Sequence, residues 1–338
     1  MTKLSIIVPV YNIEEYIRPC IESIFRQGLD DSDFEVIIVN DGTEDRSMEV
    51  IADIIGNHDN VTVINQENQG LSAARNNGIA AAKGDYILMP DSDDLLIENS
   101  VPSLLKMALE TKADMVIAEF LEMNDKEIKN FTCPKQLGLG SSEMTGKELY
   151  LFQNQIISPV WRTLYRREFL NDNGLRFIPN ICFEDTPFTN ECYLKANLCI
   201  KTNVPIYIYR VGHSSISSPD AFNMKKAHDL CIVTARIWEL KKIKGLSSDI
   251  INKIDDVAYS TFSKLLNRSL YRFDYSQKVA VIKRLKREVP DLRFTHGFKQ
   301  ELDYLFYRTS SHLYIIWRML IKRFIWHLSP KADDSDAK

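Results

Sequence analysis

Short apolar runs alternate with amphipathic segments through the first 120 residues of the chain. The runs at 4–10, 34–40, 61–65 and 115–120 are rich in β-branched residues and short enough for buried strands. Segments with helical periodicity separate them, for example from Tyr16 to Phe25. Strands that alternate with helices predict a mostly parallel sheet with right-handed crossovers and helices on its faces. The expected fold class is therefore α/β.

One further apolar run is followed directly by acidic residues. Residues 86–89 are followed at 91–94 by the sequence Asp-Ser-Asp-Asp. A buried strand there would bring three carboxylates to its carboxyl end, where open α/β sheets bind ligands. A solvated turn that caps the next helix explains the same residues. Two more polar strand ends, at 9–12 and 40–41, favour a shared crevice over that alternative.

Charge is unevenly distributed along the 338 residues, whose formal net charge is −4. The range 235–330 contains 19 Lys and Arg against 9 Asp and Glu, a local charge of +10 that leaves −14 for the remainder. The acidic amino-terminal part argues against a nucleic-acid partner, because phosphate contacts need basic surface. The basic part suits anionic lipid or a solvated face.

The cysteines and the amino terminus indicate a cytoplasmic protein. Six cysteines are scattered without a CxxC pair, and the first residues do not resemble a signal peptide. No uninterrupted apolar run approaches the roughly 18 to 20 residues that span a bilayer. We therefore expect a cytoplasmic location without a membrane span.

Four motifs together resemble a known family. They are Ser5–Asn12, Ile37–Thr43, Asn68–Gly78 and Gly84–Asp94. In this order and spacing they resemble the family 2 glycosyltransferases of GT-A fold, of the bacterial polysaccharide type. The resemblance is strong over residues 3–120, continues more loosely to Arg210, and supports nothing specific beyond about residue 225.

The resemblance implies a role for each matched residue. Its nucleotide-binding residues would be Pro9, Tyr11, Glu14, Asp41, Arg75, Asp91 and Ser92. Asp41 would accept the imide proton of uracil, and Asp91 would face the ribose. Asp93 would bind Mn²⁺ or Mg²⁺, for which carboxylate oxygens are suitable ligands. Asn40 stands where Asp is commoner in the family, which leaves Asp41 intact.

The acidic pair Glu184-Asp185 precedes a predicted helix. Such a pair alone is usually a favourable charge at a helix amino terminus. Its match to the ED motif of the family implies instead that Asp185, with Glu184, activates the acceptor hydroxyl, which must lose a proton as it attacks. Direct displacement of this kind inverts the anomeric centre.

Two further predictions rest on single side chains. Trp161 would stack on a donor or acceptor sugar, although a buried tryptophan in the core is an equal interpretation. His213 lies in a segment, 209–217, that resembles the closing loop of the family, and it would be a third metal ligand or a structural histidine.

The expected function follows from the resemblance. It implies an inverting transfer from a nucleotide-sugar donor, most often a UDP-sugar, to a saccharide or polyprenyl-linked saccharide in surface polysaccharide synthesis. A dinucleotide oxidoreductase is disfavoured because no GxGxxG follows the first strand, and a sugar-nucleotide pyrophosphorylase because its glycine-rich phosphate loop is missing. A non-catalytic sugar-nucleotide or glycan-binding subunit remains the alternative, although Asp41, Asp91, Asp93 and Asp185 are all present.

We expect a catalytic domain over residues 1–220, followed by a helical region at 221–330 and a disordered tail at 331–338. Within the first, residues 1–120 would bind the nucleotide sugar and residues 121–220 the acceptor.

The segment 310–328 is aromatic and aliphatic, with three basic residues within it. Arg318 and Lys322 are four residues apart and so share a helix face. This composition suits a helix that lies in the interface at the inner face of the cell membrane. A helix docked on the catalytic domain has the same wide apolar stripe.

Overall fold

The computed structural model describes residues 2–133, 140–152, 159–212, 222–293, 304–305 and 307–328, the last eight by their backbone alone. The chain divides into two compact units, residues 1–215 and 216–338. Each unit is described by itself below.

The described residues of the first unit form one sheet and eight α-helices. The strands are β1 (Leu4–Val10), β2 (Phe34–Asn40), β3 (Val61–Asn65), β4 (Tyr86–Leu88), β5 (Leu95–Leu96), β6 (Met115–Met123), β7 (Ser141–Met144), β8 (Thr163–Arg166) and β9 (Cys199–Arg210). The helices are α1 (Ile17–Phe25), α2 (Ala52–Asn57), α3 (Leu71–Ala81), α4 (Val101–Thr111), α5 (Asp125–Asn130), α6 (Gly146–Phe152), α7 (Arg167–Asp172) and α8 (Asp185–Lys195). Short 3-10 turns occupy Glu49–Ile51 and Val160–Arg162.

The strand order is β3-β2-β1-β4-β8-β6-β9-β5, with β7 paired to β9. Strand β8 is antiparallel to both of its neighbours, β4 and β6, so those two strands run in the same direction. With β1, β2, β3 and β9 they make six strands of one direction, against β5, β7 and β8. The predicted α/β fold with a mostly parallel sheet is confirmed.

The first strand is central because both of its edges are paired and all seven of its residues are buried. Helix α3 lies close to it at Gly78, where a Cβ would come within 2.2 Å of Ile7 Cγ2. Any larger residue would push the helix away from the sheet. This close approach sets the depth of α3, and with it the position of Arg75.

The described part of the second unit is helical, as the sequence predicted. Its helices are α9 (Met224–Glu239), α10 (Ser248–Arg272), α11 (Tyr275–Glu288) and α12 (Ser311–Leu328). Side-chain caps begin three of them: Asn223 for α9, Ser247 for α10 and Asp274, in a capping box with Gln277, for α11. In the chain as far as it is described, no helix combines the length and the hydrophobicity needed to cross a membrane.

Candidate functional site

Three polar strand ends lie side by side at one edge of the sheet. Strand β1 pairs in parallel with β2 and with β4, so the segments that follow these strands are neighbours. Asn12, in the left-handed region with φ +47°, turns the chain after β1. Its backbone N–H donates to Thr43 Oγ1 at 2.7 Å, and its side chain accepts from the Glu44 N–H at 3.0 Å. These bonds tie the segment after β1 to the segment after β2.

Asp41 is buried at the end of β2 and accepts three hydrogen bonds. Oδ1 accepts from Gln66 Nε2 at 2.7 Å and from the Gln69 N–H at 2.8 Å, and Oδ2 accepts from the Gly70 N–H at 2.9 Å. The carboxylate therefore fixes the loop that enters α3. Its predicted contact with a base stays a prediction.

The other predicted nucleotide-binding residues after β1 differ in exposure. Pro9 is buried within the strand, while Tyr11 is 46% exposed. Glu14 Oε2 accepts from the Arg46 N–H at 2.9 Å, and the Glu14 N–H donates to Asp45 Oδ2 at 2.9 Å. Tyr11 is thus accessible beside a loop that these hydrogen bonds fix in position.

The segment after β4 gathers three carboxylates. Asp91, Asp93 and Asp94 each present an oxygen, and these oxygens lie within 4.8 Å of one another. Asp91, Ser92 and Asp93 are half-buried, whereas Asp94 is buried. Because hard oxygen donors suit Mg²⁺ and Mn²⁺, this donor set fits the predicted metal.

Asp94 is held by strand β9. Its Oδ2 accepts from the Tyr207 hydroxyl at 2.9 Å, and its Oδ1 accepts from the Arg210 N–H at 2.7 Å. Burial, together with the nearby charges of Asp91 and Asp93, raises the pKa of Asp94 to about 8. Both oxygens are engaged by the chain, so Asp94 positions the acidic segment.

Two residues of β9 brace this segment, and the sequence did not single them out. The Tyr207 hydroxyl also accepts from the Asp91 N–H at 3.0 Å. Arg210 Nε donates to the Asp93 carbonyl oxygen at 2.8 Å, and its guanidinium also pairs with Asp125. Both lie in the looser part of the resemblance, which continues to Arg210, but their partners are more than 80 residues away in sequence, so no local pattern indicated these contacts.

Arg75 joins the acidic segment to the acidic pair before α8. Its Nη2 donates to Asp91 Oδ1 at 2.5 Å, and its Nη1 donates to Glu184 Oε1 at 2.7 Å. Its guanidinium lies 5.2 Å from the centre of the Phe177 ring. Burial alone would lower the pKa of Arg75, but the two carboxylates raise it, so the guanidinium stays charged at 2% exposure. We call this arrangement the Arg75 bridge.

Glu184 occupies the cap position of α8, but its side chain makes no capping hydrogen bond and pairs with Arg75 instead. The usual role of an acidic pair at a helix start is therefore not the role of Glu184. Burial raises the pKa of this carboxyl, and the charges of Asp185 and Asp91 add to the effect. Phe183 precedes it with φ +65°, a strained conformation for a residue with a side chain.

Asp185 is the first residue of α8 and is half-buried. Its Oδ1 accepts from the Thr186 N–H at 2.8 Å. Burial raises the pKa of Asp91, with the charge of Asp185 among the further contributions. Arg75 bonds both Asp91 and Glu184, the residue before Asp185, so the fold brings together Asp91 and Asp185, which are 94 residues apart in sequence.

Trp161 is 7% exposed and lies in an aromatic stack. Its ring centre is 4.1 Å from that of Tyr207 and 5.7 Å from that of Tyr209, and Phe120 meets its edge. The structure thus shows Trp161 packing against the residue that braces the acidic segment, and a contact with a sugar stays a prediction. His213 lies outside the described residues.

Comparison with known proteins adds a family match. The model of the family described as "Glycosyl transferase family 2" matches residues 5–174. The chain is 38% identical over 219 residues to the uncharacterized glycosyltransferase EpsJ of Bacillus subtilis, covering 63% of this chain and 62% of that protein. It is 30% identical over 264 residues to glycosyltransferase GlyG of Streptococcus pneumoniae, covering 73% and 83%. With glycosyltransferase GlyA of the same species the match covers 31% of the relative, so the chain spans less than two thirds of several relatives.

Solved structures share the fold. The crystal structure of Staphylococcus aureus TarS 1–349 in complex with UDP-GlcNAc has a TM-score of 0.70 at 20% identity, covering 96% of this chain and 92% of that one. The mannosyltransferase PcManGT of Pyrobaculum calidifontis, in complex with GDP-Man and Mn²⁺, has a TM-score of 0.54 at 14% identity, covering 97% and 88%. These likenesses agree with the GT-A fold that the motifs implied. The family match, which spans the strand ends after β1, β2 and β4 and includes Arg75, shows that the chain belongs to glycosyl transferase family 2.

Proposed function

We propose that this protein is a metal-dependent, inverting glycosyltransferase. It would move a sugar from a nucleotide-sugar donor, a UDP-sugar in the simplest case, to a saccharide or polyprenyl-linked saccharide in surface polysaccharide synthesis. The observation that carries the proposal is the Arg75 bridge, which connects Asp91 of the acidic segment to Glu184, next to Asp185. Carboxylates suited to the donor and to the acceptor thus belong to one site.

The donor would bind across the ends of β1, β2 and β4. A carboxylate has about four acceptor positions, and Asp41 uses three of them within the chain, which leaves room for the imide N–H of uracil. Exposed Tyr11 would lie against the nucleotide. Support comes from TarS and PcManGT, whose structures contain UDP-GlcNAc and GDP-Man.

Asp93 would hold the divalent cation, Mn²⁺ or Mg²⁺, and Asp91 beside it would face the ribose. Such an ion would neutralise the charge that develops on the leaving diphosphate. Tyr207 and Arg210 would keep these carboxylates in position through Asp94 and through the backbone of Asp91 and Asp93. Arg75 would limit the repulsion between Asp91 and the acidic pair.

Asp185 would act as the general base. The acceptor oxygen forms its bond to the anomeric carbon while the hydroxyl proton passes to the Asp185 carboxylate. The bond from that carbon to the diphosphate oxygen breaks, and the diphosphate leaves with the electron pair. Attack opposite the leaving group gives a β-linkage from an α-linked donor.

The acceptor would be a saccharide or polyprenyl-linked saccharide, and the protein would be cytoplasmic. A role in the synthesis of a surface polymer agrees with the name of one relative, the poly(ribitol-phosphate) beta-glucosyltransferase of Bacillus spizizenii, 30% identical over 198 residues. The scattered cysteines support a cytoplasmic location.

Release of nucleoside diphosphate tests the proposal. Purified protein would be incubated with Mn²⁺ and a panel of UDP-sugars, with and without saccharide acceptors, and the released diphosphate would be quantified. We expect release that an acceptor stimulates and that EDTA stops. Tight donor binding without release under any of these conditions would contradict the proposal and favour a non-catalytic binding subunit.

A further inference from the structure

Helix α12 carries a row of apolar side chains that are exposed in the described part of the chain. Leu313, Ile316, Met319 and Leu320 are 53%, 46%, 49% and 58% exposed. Positions 313, 316 and 320 are three and four residues apart, so they share one face of the helix. We call these four residues the α12 row.

The opposite face of α12 packs against other helices of the second unit. Tyr314 and Ile315 are buried and, with Leu266 and Val281, line a small cavity of about 10 Å³. Arg318 is also on this face, and its Nη2 donates to Asn267 Oδ1 at 2.9 Å. Since docking uses this face, the α12 row is not needed to hold the helix in place.

The position of Arg318 corrects one inference from the sequence. Arg318 and Lys322 are predicted to share a helix face, in a segment whose composition suits the membrane interface, but Arg318 is only 9% exposed and is hydrogen-bonded to Asn267 of α10. Its aliphatic stem packs among buried side chains while the guanidinium finds a partner there. A contact between Arg318 and a membrane surface is therefore excluded in this conformation.

The surroundings of the α12 row are basic. Residues 304–328 include four basic residues and no acidic ones. Arg308 is exposed just before α12, and α11, which packs against α12, exposes Lys283, Arg287 and one acidic residue, Glu288. The whole unit, residues 216–338, has 23 Lys and Arg against 14 Asp and Glu, a net charge of +9.

We propose that the α12 row docks on a membrane surface that contains anionic lipids. Its apolar side chains leave water at the boundary between headgroups and acyl chains, while nearby basic residues meet lipid phosphates. A second copy of the chain is a poorer partner, because it would bring the same basic residues face to face. The inference is independent of sugar transfer, since it rests on the exposure and charge of the second unit.

Vesicle co-sedimentation of the full chain tests this inference. The parent protein would be compared with the triple variant Leu313→Gln, Ile316→Gln, Leu320→Gln on vesicles of phosphatidylglycerol and phosphatidylcholine, and on phosphatidylcholine alone. We expect the parent to bind the anionic vesicles, to bind less in high salt and to bind neutral vesicles weakly. The triple variant should bind about tenfold less tightly or worse, because three apolar side chains no longer enter the lipid.

A matched control removes exposed aromatic surface elsewhere. Phe152 and Tyr271 are 75% and 71% exposed, and the double variant Phe152→Gln, Tyr271→Gln should bind like the parent. Circular dichroism would establish that each variant keeps its helix content. If the triple variant lost helix, the single variant Leu320→Gln would still show a smaller loss of binding.

Three results would overturn the inference. The parent protein could remain in the supernatant with anionic vesicles, or the triple variant could bind them as tightly as the parent. Sedimentation velocity could also show a parent dimer that the triple variant abolishes, which would identify the α12 row as a face between copies of the chain.

Discussion

Each of the two units departs from the usual distribution of side chains most clearly at one place. The unit at 1–215 buries charge, with Arg75, Asp94 and Glu184 at 2%, 1% and 8% exposure, whereas the unit at 216–338 exposes the apolar α12 row. Both departures are unfavourable, since buried charge loses hydration and exposed apolar surface faces water. The buried charges have partners within their own unit. The difference indicates an internal chemical site in the first unit and an external partner for the second.

Removal of the Asp93 carboxylate, the proposed metal ligand, should have the largest effect on sugar transfer. We expect Asp93→Ala to abolish transfer, because the cation that neutralises the leaving diphosphate loses its protein ligand. EDTA should have the same effect on the parent protein, and added Mn²⁺ should restore it. Diphosphate release measures both. Full turnover by chelated protein would show that the acidic segment has another purpose.

Removal of the Arg75 guanidinium should lower the stability of the first unit. Arg75→Met leaves Asp91 and Glu184 without their shared partner, and breaking a buried ion pair in this way costs about 3 to 5 kcal/mol of unfolding free energy. Urea unfolding measures the loss. The matched control is Arg18→Met, because Arg18 pairs with Asp53 at the surface and is 42% exposed. An equal shift of the midpoint in both variants would contradict the special role of the Arg75 bridge.

Loss of the Tyr207 hydroxyl should have a smaller effect. In Tyr207→Phe, Asp94 loses a donor and the Asp91 N–H loses an acceptor, at a cost of about 1 to 2 kcal/mol. The ring remains, so the stack with Trp161 persists. If Tyr207 only supported the fold, transfer would be unaffected after correction for unfolded protein. We expect instead a higher KM for the donor, measured at several Mn²⁺ concentrations.

The smallest effect concerns an exposed pair outside the site. The hydrogen bond from Arg18 lowers the pKa of Asp53 to about 2 from its ordinary value of 3.8. A lowered pKa means that the charged carboxylate favours the folded state, so its contribution is present above about pH 4 and is lost as the pH falls through about 2. Asp53→Asn should therefore differ slightly from the parent in urea midpoint at neutral pH and converge with it near pH 2. If the difference in urea midpoint between Asp53→Asn and the parent became larger at acidic pH, the lowered pKa of Asp53 would be contradicted.

The sequence predicted the first half of the sheet well because its signals are local. Each of the strands β1, β2 and β3 is a short run rich in apolar and β-branched residues, and the polar residues after β1, β2 and β4 follow directly. The insertion of β8 between β4 and β6 was not predicted, because the pairing of Tyr86 with Arg166 joins residues 80 positions apart. The Arg75 bridge was missed for the same reason, since its contact with Glu184 spans 109 residues.

The α12 segment shows a different limit. Its composition fits both a helix docked on the catalytic domain and an interfacial helix, and periodicity alone does not separate them. Neither alternative foresaw that one face of α12 packs within its own unit. The structure resolves the face that docks, through Tyr314 and Ile315, and leaves Leu313, Ile316 and Leu320 exposed. A helix that is apolar nearly all round can therefore have one face that packs within the protein and another that stays exposed. Tertiary contacts decide which side chains belong to each face.

The most direct test of the central claim, that the acidic crevice of the first unit performs sugar transfer, is steady-state kinetics of Asp185→Asn. The substitution keeps the size and hydrogen-bonding shape of the side chain but removes the proton acceptor. We predict that kcat falls by about 10²-fold or more while the affinity for the donor, measured by titration calorimetry, stays at the parent value. A variant that turned over at the parent rate would contradict the assignment of Asp185 and, with it, the mechanism proposed for this site.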